Sequence, residues 1–299
     1  MISIIIPAFN YKTLQRAIES ILHQALTSLE IIIIDDSRDD KIKNFIKQQQ
    51  YSDVRYYKNP ANIGTTLSRK KGIRLAKGRY IGFLDDDDIM INNNLQVLKK
   101  ELEEQYADFI FCNYIIDNQV QNSRRKITLK PYGEDFKANI VSQLGPFLQC
   151  CLFQKQVLID AVDSLDPKAE PSEDWDFFIE LSKKNLIIKH CEFFGFQWNL
   201  SNTSQSLNYK KEMLALQYII HKHNNYMKLN SLKLLSLQYR KLGCMQYYFN
   251  NTKQAKIAFK KAFTLYPHSI KNICLKITIT LPEKIYHWLM TKYVQKITS

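Results

Sequence analysis

Residues 1–90 alternate short, continuous runs of β-branched residues with helix-length amphipathic segments, and that alternation confines the chain to few folds. Ile2–Ile6 and Glu30–Ile34 lack the period-two pattern of a half-exposed strand, so both of their faces must be covered. Further strands are expected at Val54–Tyr57 and Arg79–Leu84, and helices at Lys12–Gln24, Asp40–Gln49 and Thr65–Ala76, the last closed by Gly78. This βαβαβαβ order predicts an α/β fold, a mostly parallel sheet with helices on both faces. Ligands of such sheets sit beyond the carboxyl ends of the strands, where the strand order reverses.

The residues that follow the strands are therefore informative. Pro7-Ala8-Phe9-Asn10 follows the first, Asp35-Asp36-Ser37 the second and Asp85-Asp86-Asp87-Asp88 the fourth. Like charges ~4 Å apart repel by about 1 kcal/mol even in water, so four successive acids behind a buried strand call for a neutralising cation. Mg²⁺ or Mn²⁺, held by one or two carboxylates plus substrate phosphates, fits that need. An acidic turn capping a helix at Asn92–Glu104 would account for one or two of the acids but not for four. The chain has no GxGxxG after its first strand and no GxxxxGK[ST], which disfavours dinucleotide and P-loop sites. A phospho-accepting receiver domain is also a poor match, since the largest acid cluster follows the fourth strand.

The chain of 299 residues carries a net charge of +13, unevenly spread. Residues 209–299 hold 16 Lys or Arg against two acids, Glu212 and Glu283, a net of +14 that leaves the first 208 residues at −1. A near-neutral domain, residues 1–207, followed by a basic helical region, residues 208–299, is the expected organisation, with a boundary in the polar stretch Asn199–Ser206. Anionic lipid, nucleic acid, acidic protein or plain solvent could each face such a region. A hydrophobic fraction of 45% excludes a disordered or collagen-like chain. Six cysteines without CxxC spacing fit a reducing compartment, and adjacent Cys150 and Cys151 read as packing residues. The N-terminal segment does not read as a signal peptide, and no uncharged apolar run is long enough to cross a bilayer, so a cytoplasmic address is expected.

Five blocks, in order, resemble the family 2 glycosyltransferases of the GT-A fold. They are Ser3–Asn10, Glu30–Ser37, Asn62-Ile63-Gly64 with Arg69 and Gly72, Ala76–Asp88, and Pro171–Phe178 with its Glu173-Asp174-Trp175-Asp176 core. The resemblance covers roughly residues 1–205. It implies inverting transfer of a sugar from a nucleotide-sugar donor, usually uridine-linked, to a hydroxyl of a glycan or lipid-linked acceptor. Carried over by position, Pro7, Ala8 and Phe9 would line the base pocket and Asp36 would accept from the base. Asp86 would face the ribose or donor sugar, Asp87 with Asp85 nearby would hold Mn²⁺ or Mg²⁺ on the diphosphate, and Arg69 would lie near the nucleotide. Asp174 would be the general base; read without the family, it is equally a helix N-cap. Two positions depart from the pattern: Asn199 stands where many relatives carry His, and Lys70 replaces the common Asn beside Arg69. Trp175 and Trp198 suit either sugar stacking or core packing.

In the basic region, Tyr239, Leu242, Gly243, Ala255, Phe259, Ala262 and Pro267 fall on a tetratricopeptide-like pattern near 236–267, with helices at Leu232–Asn250 and Thr252–Leu265. Residues 268–299 interleave Ile270, Ile273, Ile277, Ile285, Trp288, Leu289, Tyr293 and Val294 with Lys271, Lys276, Lys284, Lys292 and Lys296, as an amphipathic segment on the inner face of an anionic membrane would. Two other functions fit less of the chain. One is a catalytically silent scaffold recruiting partners through the tail, and the other a nucleic-acid binder, for which the tail has charge but no recognition motif and which is not expected.

Overall fold

The computed structural model describes residues 1–24, 26–91, 93–129, 136–142, 145–201 and 208–298, without the side chains of residues 138 and 294–298. Asn92, residues 202–206 of the expected boundary and the side chains of Val294 and Lys296 thus lie outside the described residues. The elements run β1 (Ile2–Ala8), α1 (Tyr11–Leu22), β2 (Leu29–Asp35), α2 (Lys41–Gln49), β3 (Val54–Lys58), α3 (Thr65–Leu75), β4 (Tyr80–Phe83), β5 (Ile89–Met90), α4 (Asn94–Glu104), β6 (Phe109–Asn118) and β7 (Ser123–Ile127). They continue with α5 (Phe136–Ile140), β8 (Cys151–Gln154), α6 (Lys155–Ile159), α7 (Glu173–Ser182), β9 (Ile188–Leu200), α8 (Tyr209–Lys222), α9 (Asn224–Asn230), α10 (Leu232–Tyr248), α11 (Thr252–Leu265), α12 (Ile270–Thr278) and α13 (Glu283–Thr298).

The strands form one sheet in the order β3-β2-β1-β4-β8-β6-β9-β5, with β7 also on β6. All seven residues of β1 are buried, as are all but the first of β2, which is why their isoleucine runs do not alternate. The chain steps from β1 to β2 to β3 in one direction and returns past β1 to β4. Right-handed crossovers therefore put α1 and α2 on one face and α3 on the other, and make the carboxyl end of β1 the switch point. The parallel register ends with Ala8 opposite Asp35, so Phe9 leaves the sheet beside Asp36. On the other flank Ile5 pairs with Phe83, and Leu84 N–H donates to Ile5 O at 3.1 Å, which delivers Asp85–Asp88 to the same edge. Gly72 lets α3 lie close on β1, because a Cβ there would stand 2.4 Å from Ile5 Cγ2.

Beyond β4 the sheet turns mixed: β8 runs antiparallel to β4 and β6, β5 to β9 and β7 to β6, while β6 and β9 are parallel. The expected parallel sheet is thus its first four strands.

The chain divides into two compact units, the first comprising Met1–Phe136, Gly145–Pro167 and Glu173–Ser204, the second Lys137–Leu144, Lys168–Ser172 and Gln205–Ser299. In the second unit α10 and α11 approach closely at Gly243, where a Cβ would meet Phe259 Cε1 at 2.5 Å. Cys244, Ala255, Phe259, Leu275, Tyr286 and Met290 form its buried cluster. Asn272, itself buried, donates through Nδ2 to Ser236 Oγ (2.7 Å), Ala262 O (3.1 Å) and Tyr266 O (2.8 Å), and accepts from Arg240 through Oδ1 (3.1 Å). It thereby ties α12 to α10 and to the end of α11. Among the described residues no helix is long and apolar enough to cross a membrane.

Candidate active site

The four acids after β4 are held in four different ways. Asp86 Oδ2 accepts the backbone N–H groups of Phe9 and Asn10, both at 2.6 Å, which fastens the acid turn to the end of β1. Asp88 is buried and its Oδ1 accepts Asn199 N–H at 2.8 Å. Asp85 accepts Arg69 Nη2 at 2.8 Å through Oδ1 and Gln149 Nε2 through Oδ2. Asp87 is anchored by its main chain, its carbonyl accepting Arg16 Nη2 (2.8 Å) and Asn199 Nδ2 (2.7 Å). Among the described residues no other residue donates to the Asp87 carboxylate.

Burial, reinforced by neighbouring carboxylates, raises the pKa values of Asp86, Asp87 and Asp88. Burial, opposed by the Asn10 and Phe9 amides and reinforced by Asp87 and Asp85, pushes Asp86 up to about 7. Burial and then Asp85 push Asp87 up to about 6, and the same two causes with Asp87 carry Asp88 well above the carboxylate range.

Arg69 is the center of the site. It projects from α3, is only 2% exposed, and bonds through Nη1 to Glu173 Oε1 (2.8 Å) and Asp174 Oδ1 (3.2 Å) and through Nη2 to Asp85. Burial works against its charge, and Asp85, Asp174 and Glu173 together outweigh that, holding the guanidinium above its ordinary pKa. The resemblance places Arg69 near the nucleotide; the structure engages both of its terminal nitrogens with carboxylates. Asp174, at the start of α7, also accepts Leu148 N–H at 2.9 Å through Oδ2. Its pKa is raised, first by burial, against the opposing pull of Arg69 and the Leu148 amide.

Asp36 is buried and accepts Asn59 Nδ2 (2.9 Å) and Ile63 N–H (2.9 Å) at Oδ1 and Gly64 N–H (2.8 Å) at Oδ2. It orders the loop into α3, where Gly64 takes a φ of 88° that favours glycine. Pro7 and Ala8 are buried in β1, whereas Phe9 is 62% exposed. Pro7, Ala8, Phe9, Asp36, Asp85, Asp86 and Asp87 thus gather at the carboxyl edge of β1, β2 and β4, and Arg69 joins Asp174 to them.

Other positions differ from expectation or add to it. Lys70 does not bring a free charge to the nucleotide side: its Nζ lies 3.5 Å from Asp163 Oδ1. Asn199 serves the acid turn through two hydrogen bonds, its backbone N–H donating to Asp88 Oδ1 and its side-chain amide to the Asp87 carbonyl. Glu173, Gln149 and the Leu148 amide were not foreseen, as each reaches the site from far along the chain. Cys150 and Cys151 are buried, and burial raises both thiols. Trp175 is buried, and half-buried Trp198 packs edge-on against Phe147, with centroids 5.4 Å apart. Asn199→Ala is expected to cost about 0.5–1.5 kcal/mol, because it removes one of the two hydrogen bonds to the Asp87 carbonyl, which keeps Arg16. Chemical denaturation checks the value, and an unchanged midpoint would deny Asn199 this role.

The donor set can be tested against a divalent ion. No cluster of three or more His, Cys, Asp or Glu among the described residues forms a cage. The Asp87 carboxylate, which accepts from no other residue among those described, instead suits the mode in which one carboxylate and substrate phosphates share the ion. The Asp87 carboxylate therefore fits Mg²⁺ or Mn²⁺ shared with substrate phosphates.

The family model described as "Glycosyl transferase family 2" matches residues 3–160, more than half of the chain. UDP-Glc:alpha-D-GlcNAc-diphosphoundecaprenol beta-1,3-glucosyltransferase WfgD of Escherichia coli is 27% identical over 218 residues, 71% of this chain and 82% of that protein. GalNAc(5)-diNAcBac-PP-undecaprenol beta-1,3-glucosyltransferase of Campylobacter jejuni is 34% identical over 122 residues, 40% of this chain and 39% of that protein. EpsJ of Bacillus subtilis, an uncharacterized glycosyltransferase, is 32% identical over 133 residues, 44% of this chain and only 38% of its own length. The crystal structure of S. aureus TarS 1–349 in complex with UDP-GlcNAc superposes with a TM-score of 0.67, covering 99% of this chain and 92% of that one at 15% identity, which shows a shared fold. On the extent of the family match, the chain belongs to glycosyl transferase family 2.

Proposed function

We propose that this glycosyltransferase moves a sugar, with inversion, from a nucleotide-sugar donor to a hydroxyl of a glycan or lipid-linked acceptor, in polysaccharide assembly at the cytoplasmic face. A UDP-sugar is the donor we favour. The observation that carries this reading is the shared guanidinium of Arg69, which ties Asp85 of the acid turn to Asp174. The leaving-group side and the proton-accepting side then lie within the span of one small substrate. The relatives named for UDP-Glc and for diphosphoundecaprenol acceptors support both substrate classes.

In this reading Pro7, Ala8 and exposed Phe9 line the base pocket, and Asp36 accepts a base N–H through Oδ2, which among the described residues holds the Gly64 amide alone. Asp86 turns Oδ1 to the ribose or donor sugar, its Oδ2 being held by the two amides. Asp87, with Asp85 nearby, would hold Mn²⁺ or Mg²⁺, which when bound supplies positive charge against the growing charge of the diphosphate. An anionic donor needs such help, since one Arg69 faces three carboxylates. Asp174 takes the acceptor hydroxyl's proton as its oxygen forms a bond to the anomeric carbon, while the bond to the nucleoside diphosphate breaks on the opposite face. Arg69 and the Leu148 amide fix the Asp174 carboxylate and leave each oxygen a lone pair. We further read residues 1–207 as the catalytic domain, and α10 with α11 as a single tetratricopeptide-like pair in a basic helical region of residues 208–299.

Thermal melts with nucleoside diphosphates and nucleotide sugars, with and without Mn²⁺, test the donor site. A ligand at about 100 times its Kd adds ~2.7 kcal/mol of stability. The expected result is a Mn²⁺-dependent rise with uridine nucleotides that Asp87→Asn abolishes; no rise with any nucleotide would overturn the reading. The pH dependence has a defined sign. Asp86 and Asp87 are raised to about 7 and about 6 in the fold, so the cation-free protein binds their protons more tightly than the unfolded chain and loses stability as pH rises through that window. Mn²⁺ should raise the melting temperature more at pH 8 than at pH 5.

A further inference from the structure

The structure sorts the apolar residues of the C-terminal segment into two sets. Leu275, Tyr286 and Met290 turn inward to the buried cluster of the second unit. Ile270 (77% exposed), Ile273 (39%) and Ile277 (58%) on α12, and Ile285 (47%) and Trp288 (58%) on α13, face solvent. At about 100° per residue, positions 270, 273 and 277 form one stripe on α12, with Lys271 and Lys276 on its two sides. On α13 the stripe runs Ile285, Trp288 and then Lys292, whose Nζ stands 4.1 Å from the Trp288 ring centroid, with Lys284 alongside. The apolar surface these side chains leave in solvent is not used by the packing of the two helices.

We infer that these two stripes form a docking surface for an anionic lipid bilayer, the isoleucines and Trp288 entering the headgroup–acyl boundary while the flanking lysines meet the headgroups. Charge complementarity selects this occupant. Residues 209–299 carry a net charge of +14, the sign that an anionic leaflet attracts, and apolar side chains between lysines match its layered chemistry. A nucleic-acid duplex would engage the lysines but give the isoleucines nothing to bury against. Reversible attachment of this kind needs no membrane-crossing helix. The inference stands apart from the glycosyl-transfer reading, since lipid binding can be measured without substrate.

The test is co-sedimentation of the full chain with large unilamellar vesicles of phosphatidylcholine containing 30% phosphatidylglycerol, or of phosphatidylcholine alone, from 50 to 500 mM NaCl. The expected result is a partition coefficient at least about ten-fold higher on the anionic vesicles, falling as salt screens the lysines. The double variant Ile273→Ser/Trp288→Ser, at exposed positions and with an unchanged melting temperature, should lose about ten-fold or more of that binding. Trp288 emission should shift to the blue on anionic vesicles, and the shift should vanish in Trp288→Phe, which retains binding. Absence of anionic-vesicle binding at 50 mM NaCl overturns the inference. So does binding that the double variant leaves intact, or binding to random-sequence duplex DNA in place of vesicles.

Discussion

Asp174→Asn is expected to lower kcat by about 10²–10⁴-fold, the contribution of a positioned general base. The substitution keeps the shape of the side chain and the acceptor for Arg69, but sets an amide group toward the Leu148 N–H. A modest fall in melting temperature should accompany it, with donor affinity by calorimetry within about two-fold, because Asp174 meets the acceptor and not the nucleotide. The wild-type rate should also fall on the acid side. A base works only when ionised, and burial raises the pKa of Asp174, so the loss sets in at a higher pH than for an ordinary aspartate. A kcat within two-fold of wild type in the Asn variant would return Asp174 to the role of a helix cap.

Arg69→Met carries the largest expected cost in stability, about 3–5 kcal/mol, because it leaves Asp85, Glu173 and Asp174 facing one another with no cation between them. The sign of the pH effect follows. Without the guanidinium the carboxylates of the folded variant hold protons more tightly than those of the unfolded chain, so the variant gains stability on acidification and loses it as pH rises. The gap to wild type should be wide at pH 7.5 and narrower at pH 5. Arg69→Lys keeps the charge but not the fork that reaches three partners, and should fall between. Urea denaturation at both pH values is the measurement. A gap of under 1 kcal/mol at pH 7.5 would mean that the network is not a structural center.

Much of the acid-lined edge of the sheet was legible in the sequence, because its physics is local. A strand buried on both faces must be a continuous apolar run, and residues at its carboxyl end must face the crevice, so Asp36 and Asp85–Asp88 could be located by counting. What was not legible came from pairings across the chain. Glu173 meets Arg69 from 104 residues away, in a block that marks Asp174 but not this ion pair, and Gln149 meets Asp85 from 64 with nothing nearby to mark the partner. The later strands gave little warning. β9 carries Lys189 and Glu192 within it and shifts register twice against β6 around Asn113, so no simple period announces it. The demand for a cation was also overstated for Asp85, whose charge the chain itself answers through Arg69. In the tail, periodicity listed the apolar residues but could not say which ones face inward until Leu275, Tyr286 and Met290 were seen to share a core.

The grip on Asp86 is made by main-chain amides, at Phe9 and Asn10. Any residue except proline at either position supplies the same N–H. Phe9 projects a largely exposed ring from that anchor, so its side chain and its amide answer to different demands. On the base-lining role proposed for Phe9, base preference could be retuned by exchanging one side chain while the acid turn stays where it is. A scaffold wired this way can vary the exposed side chain one residue at a time without disturbing the acid turn behind it.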